Sequence, residues 1–277
     1  MKKIIFDEML DYCEKIYKRG DKVSYSEKDK QLLSFYKKCM TLAKGVILVL
    51  DNDLDELAPI LIRSLDELVL DLGNLSINSN NYFSMIKFQS INNNYRLVRL
   101  NKEEFKSENL RNLTNILQDA RDKVTGPEDM VTNLLDKGYL SFQERLKLFT
   151  IEKEHKKEKI ADLLSFLFYL LSHYVHTSTV VLKTHNTKNF YCDTVAQLLL
   201  LSSEFFAVAI EIDDSKKFKR NRKKLKKCYK KLISENDFNW SLNFGEDYFY
   251  NIELSQLDIY DYQGEDMEYD EEEHEVD

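Results

Sequence analysis

The sequence predicts an all-α fold: a single bundle of seven or eight helices carrying a charged C-terminal extension. Three observations predict it. Only two prolines and seven glycines interrupt 277 residues, so long unbroken helices are expected. The mix is rich in Leu, Lys, Glu, Asp and aromatics, and β-branched runs are scarce. Through most of the first 212 positions, apolar residues recur at three- and four-residue spacing, the period of a helix with one buried face. Composition and charge divide the chain into an N-terminal helix (1–27), a helical core (28–212), a basic helix (213–235) and an acidic tail expected to be disordered (236–277).

In chain order, Ile4, Ile5, Met9, Cys13, Ile16 and Tyr17 form the apolar stripe of a first helix over 3–19, ending at Gly20. Ser24 or Ser26 caps the next, which Phe35, Cys39, Leu42, Val46 and Val49 carry to about Leu50. A third helix runs from about Leu54 to Leu72. Pro59 is tolerable in its first turn and would otherwise kink it. Gly73 ends that helix, and Ser76 to Asn81 reads as a polar loop. Residues 82–104 are helical but weakly patterned, with Asn92-Asn93-Asn94 as an interruption. Leu110, Leu113, Ile116, Leu117 and Ala120 define an amphipathic helix over 109–124, stopped by Gly126-Pro127. Short helices follow over 128–136, with Gly138 as its stop, and over 142–149. A strongly apolar helix spans about Lys156 to Thr177, and Phe190 to Ile212 is the last core helix. The helices around Arg63, His176 and Glu204 are expected in the core. Phe238 to Tyr250 is read as a hairpin or as irregular, and no internal repeat is present.

Cys13, Cys39, Cys192 and Cys228 are far apart and form no CxxC pair, which argues against disulfide frameworks and zinc ribbons and fits a reducing cytoplasm. The N-terminus turns acidic too soon for a signal peptide. Leu163–Leu182 and Val195–Ile210 are apolar but short for spanning, and they contain His and Ser, or Gln197 and Glu204, so buried core helices are expected and no membrane partner. No Gly-rich phosphate loop, no H-E-x-x-H and no His/Cys cluster occurs, so no cofactor and no metal are expected. A Gly-x-Ser-x-Gly elbow is also absent, which disfavours a hydrolase triad.

The most apolar helix closes on Tyr169-Leu-Leu-Ser172-His173-Tyr-Val-His176-Thr-Ser178, where polar side chains emerge together. Ser172 and His176 stand one helical turn apart on one face. About a hundred residues upstream lies Ala58-Pro-Ile-Leu-Ile-Arg63-Ser64-Leu65-Asp66-Glu67. Together the two stretches resemble a bacterial helical family of unknown function. That family's pattern is an Ala-rich R-S-L-x-E helix and a second helix ending in a Tyr, Leu-Ser, His, Ser signature. The resemblance covers roughly residues 28–210. It is similar in turn to the higher eukaryotes and prokaryotes nucleotide-binding (HEPN) domains, helical bundles that often act as metal-independent RNases in toxin and phage-defence systems. This resemblance implies an RNA-binding or RNA-cleaving protein of a bacterial defence or toxin-type system, and a homodimer with its site at a two-fold interface. HEPN domains carry an Arg separated by four to six residues from a following His. Here positions 169–171 are Tyr, Leu and Leu, so Arg63 would supply the guanidinium from another helix.

On that reading His176 is general acid or base, Arg63 clamps a phosphate with two hydrogen bonds, Glu67 orients Arg63, and Ser172 and Tyr169 line the site. The bland reading stands beside it: Arg63 and Glu67 form an ordinary i,i+4 pair, and Ser172 and His176 satisfy each other at a helix end.

Lys216 to Lys231 holds eleven Lys or Arg and no acid: Lys216, Lys217, Lys219, Arg220, Arg222, Lys223, Lys224, Lys226 and Lys227, then Lys230 and Lys231. Such a helix can hold a nucleic-acid backbone without reading sequence. It can equally be a solvated helix, or one neutralised by the chain's own tail, since Glu246 to Asp277 carries fourteen Asp or Glu and no Lys or Arg. A protein partner recruited through this charged C-terminal region, with a purely structural polar cluster in the bundle, is the alternative function.

Overall fold

The computed structural model describes residues 2–100, 107–151, 155–175 and 187–234. Among them every regular element is helical: α1 (Lys2–Asp21), α2 (Glu27–Asp51), a 3-10 turn (Asp55–Leu57), α3 (Ala58–Ile77), α4 (Ser79–Leu100), α5 (Ser107–Asp122), α6 (Glu128–Lys137), α7 (Phe142–Phe149), α8 (His155–Val175), α9 (Thr187–Ala209) and α10 (Lys216–Ser234). Eight of these, α2 to α9, fall within the span expected for the core. The acidic tail and the Phe238–Tyr250 stretch lie outside the described residues.

Local chemistry sets the boundaries. Of the two candidate caps, Ser26 is the one used at α2. Its hydroxyl accepts from the Asp29 amide (3.0 Å) and the Asp29 carboxylate accepts from the Ser26 amide (2.9 Å), which closes a capping box. Ser24 instead donates to the Gly20 carbonyl (2.7 Å) at the end of α1. Ser141 and Glu144 repeat the box at α7. Gly138 stops α6 at φ 81°, a conformation that favours a residue without a Cβ. Pro59 sits in the first turn of α3 and does not kink it.

α3 is the hub. It packs against α2 and α9, against α7 and α8, and against α4. Ile62, Leu65, Val69, Leu72 and Leu75 are fully buried along it. α9 lies beside α3 and also meets α2, α1 and α10. The Tyr36 and Phe206 rings stack at 4.4 Å to join α2 and α9, and the Tyr36 hydroxyl meets Ser203 at 2.7 Å. The stretch Lys188–Ala209 is long and apolar enough to cross a membrane, with an 18-residue window of mean hydropathy 1.4, but 78% of that window is buried inside the bundle. Packing against four helices therefore accounts for its apolarity. α1 and α10, from the two ends of the described chain, pack against each other.

Two expectations are corrected. Gly73 does not end α3, which continues to Ile77, and the polar loop expected over 76–81 shrinks to Asn78. Gly73 is there because rings press on it: a Cβ would stand 2.8 Å from the Phe149 ring and 3.1 Å from that of Phe205. Nor do the three asparagines interrupt α4. Asn92 donates its amide to the Gly138 carbonyl (3.3 Å), and Arg96 donates to that of Lys137 (2.9 Å). These side chains satisfy carbonyls that the end of α6 leaves open.

Candidate functional site

Arg63, Glu67 and Asp71 stand four residues apart on α3, so one helical stripe presents a cation and two carboxylates in line. Other helices complete this polar seam. Arg145, from α7, forks onto it, with Nη2 donating to Glu67 (2.7 Å) and Nη1 to Asp71 (2.9 Å). Tyr82, from α4, donates its hydroxyl to Asp71. Asn74 then ties α3 to the α7 backbone, donating to the Arg145 carbonyl at 2.9 Å.

The seam is nearly dry: the Arg145 side chain is 13% exposed and that of Asp71 15%. Burial works against the charge of Arg145, but Asp71, Tyr82 and Glu67 together outweigh it and its pKa is raised. Burial, then the neighbouring Asp71 carboxylate, hold Tyr82 well above the usual phenol range, so it keeps its proton and acts as donor. Directly before Glu67 on α3, Asp66 is fully buried with neither carboxylate oxygen hydrogen-bonded. Burial pushes its pKa well above the usual carboxylate range, with Glu67 adding in the same direction. Beyond Asp71 the seam opens into a groove of about 610 Å³. Phe35, Phe83 and Ile86 supply apolar lining, and Lys38 and Lys87 stand on its rim.

The expected catalytic residues divide as follows. Arg63 stands over the Phe168 ring of α8, 4.7 Å from its centroid, which brings it to the turn that carries Tyr169 and precedes Ser172. Glu67 is closer to Arg145 than to Arg63, whose Nε stands 3.8 Å away. Tyr169 is half-exposed and its hydroxyl accepts from Gln143 at 2.8 Å. The Ser172 hydroxyl donates back to the Phe168 carbonyl of its own helix. His176 lies outside the described residues. Sequence reasoning missed Arg145, Asp71, Tyr82 and Asp66. The available signal was the placement of three acids, Asp66, Glu67 and Asp71, against the single cation Arg63 on a largely apolar helix, which calls for a second cation from elsewhere. Among the described residues no cluster of three or more His, Cys, Asp or Glu could hold a metal ion.

The second candidate is α10. Phe218, Leu225, Cys228, Tyr229 and Leu232 form its buried stripe and hold it against α1 and α9. Burial and nearby Glu8 push the Cys228 thiol up to about 11. At the edges of that stripe, Arg222 pairs with Glu204, Lys224 lies over the Tyr12 ring at 5.3 Å, and Lys219 pairs with Asp214 at 3.0 Å. Lys226 is half-buried. Lys216, Lys217, Arg220, Lys223, Lys227 and Lys230 are exposed, and no carboxylate among the described residues pairs with them.

An all-α bundle organised on one buried helix that carries a polar seam, with a cationic helix laid over one side, is the class of protein these features define. The family model for a family of unknown function, DUF5677, matches residues 29–190, more than half of the chain, and the chain belongs to that family. α1 and α10 lie outside the matched span. No curated protein and no solved structure matches this chain.

Proposed function

We propose that this is an RNA-binding helical protein of the HEPN-like kind, serving a bacterial defence or toxin-type system and contacting the RNA backbone through α10. The observation that carries the reading is the set of six exposed cations on α10 without carboxylate partners, held on a rigid helix by its buried stripe. The resemblance of the two signature stretches to HEPN-like proteins supplies the RNA. Exposed cations at this density neutralise successive phosphates and release counterions, giving affinity without sequence readout.

The test is fluorescence anisotropy of a labelled single-stranded RNA titrated with the full chain across a salt series. Replacing Lys216, Lys217, Lys223 and Lys227 with Gln should weaken binding and reduce the slope of log K on log salt by about 3, at roughly 0.7 for each phosphate no longer neutralised. An unchanged slope removes α10 from the RNA site. If RNA does not bind at all, a protein partner for the charged C-terminal region takes its place.

One observation favours a second reading, metal-independent cleavage. Arg63 is held over Phe168, beside Tyr169 and one turn before Ser172, at the polar turn of α8 that the cleavage reading assigns to the site. Expression of the wild type beside His176→Ala and Arg63→Ala tests it. Fragmented total RNA with the wild type and intact RNA with both folded variants supports cleavage. Intact RNA in all three rejects it.

A further inference from the structure

We infer that the chain's own acidic segment, residues 246–277, docks on the exposed face of α10 and competes there with RNA. The inference rests on the RNA-binding reading of that face and adds its regulation.

Charge complementarity is the first argument. The face offers six cations without carboxylate partners among the described residues, and the segment brings fourteen carboxylates and no cation. Few sequences in this chain are so one-sided. The remaining charges are mixed in sign along the helices, with local pairs such as Lys15–Asp11 and Lys123–Asp119 among them.

Reach is the second. α10 spans 19 residues, about 28 Å at 1.5 Å per residue. It ends at Ser234, so eleven residues separate it from Glu246. Extended, they cover up to about 36 Å at roughly 3.3 Å each, enough for the acidic segment to run back along the whole helix. Tethering places those carboxylates at an effective concentration on the order of millimolar. Non-specific contacts of this polyelectrolyte kind have dissociation constants of about 10⁻⁴ to 10⁻⁶ M. At low salt the tethered segment therefore occupies the face most of the time, and RNA must displace it.

The segment also carries Tyr260, Tyr262 and Tyr269 among its acids. Aromatic rings lie well against Lys and Arg side chains, so the segment can mimic the alternation of phosphate and base that a single strand presents.

The experiment keeps the full chain and replaces the nine carboxylates of residues 265–277 with the corresponding amides. Anisotropy with the labelled single-stranded RNA should show affinity rising about tenfold or more at low salt. The gain should shrink as salt rises, since salt weakens the competing contact as well. In parallel, a carbodiimide that joins adjacent carboxylates and amines is applied to dilute wild-type protein, followed by peptide mass spectrometry. Links from residues 246–277 to α10 lysines are expected within one chain, as judged by mixing isotopically light and heavy copies.

The two readouts separate the outcomes. Tail-to-α10 links without RNA binding by either protein keep the docking and sink the RNA reading. Equal RNA affinity of wild type and amide variant, with no such links, overturns the docking and leaves the RNA reading standing. Links only between light and heavy copies overturn the intramolecular form.

Discussion

Arg145→Met removes the one side chain that joins Glu67 and Asp71, and it is the most informative perturbation of the seam. The replacement keeps the apolar length of the side chain and deletes both charged hydrogen bonds, of 2.7 and 2.9 Å. Breaking a fully buried ion pair from one side costs about 3–5 kcal/mol. Here Glu67 is 36% exposed and can rehydrate, while Asp71 is 15% exposed and retains the Tyr82 hydroxyl. Arg145 Nε is also buried without a partner, and its removal relieves that cost. These offsets lower the expected loss to about 2–3 kcal/mol. At roughly 2–4 °C per kcal/mol for a chain of this size, the melting midpoint should fall by about 4–12 °C. Circular dichroism melts of Arg145→Met, Asp71→Asn and the double variant provide the assay, and the double should lose less than the sum, with a coupling of about 0.5–3 kcal/mol. Arg145→Lys should fall between, because a single ammonium cannot fork to two carboxylates. A midpoint for Arg145→Met within about 1 °C of wild type, or strict additivity in the double variant, would refute the reasoning.

Asp66 and Gly73 give two further predictions. Because Asp66 has its pKa raised in the fold, the folded protein binds a proton that the unfolded chain releases above the ordinary value of 3.8. Its contribution to stability is therefore fully present below that pH and is lost as pH rises toward the folded pKa, with a slope of at most about 1.4 kcal/mol per pH unit. Asp66→Asn removes the proton linkage, so its melting midpoint relative to wild type should climb as pH rises above the ordinary carboxylate value; a flat difference contradicts the assignment. Gly73→Ala gains about 1 kcal/mol of helix propensity but drives a methyl against the Phe149 ring at 2.8 Å. With overpacking at about 1–3 kcal/mol, the balance is a loss of about 1 kcal/mol, read as a midpoint about 2–4 °C lower. A rise would show that the ring yields freely.

The residues that marked helices in the sequence did so through local chemistry. Ser26 as one of the two candidate caps, Gly138, and the period of Phe35, Cys39, Leu42 and Val46 act within a turn or two of themselves, and the fold keeps them. Gly73 and Asn92 misled for one shared reason. Each looks like a helix breaker by propensity, and each is kept inside a helix by a partner distant in sequence: the Phe149 ring for one, the Gly138 carbonyl for the other. The candidate site was legible in the same degree. Arg63 and Glu67 could be paired from their i,i+4 spacing, and they do pair. The shorter bond of Glu67 is to Arg145, 78 residues away, and no local pattern announces it. The cationic face of α10 was legible throughout, because eleven charges in sixteen residues leave only one stripe for burial.

The seating of α1 against α10 has a consequence in time. Their first residues are separated by 214 positions, so a chain made at about 5–20 residues per second produces the N-terminal helix roughly 10–40 s before its seat. Through that interval Phe6, Met9, Cys13 and Ile16, all buried in the finished protein, rest chiefly on α2 and later on α9. Completion of this bundle is therefore gated by the arrival of its most cationic helix. A nascent chain that stalls before residue 216 displays an apolar stripe that a chaperone, or another such chain, can bind.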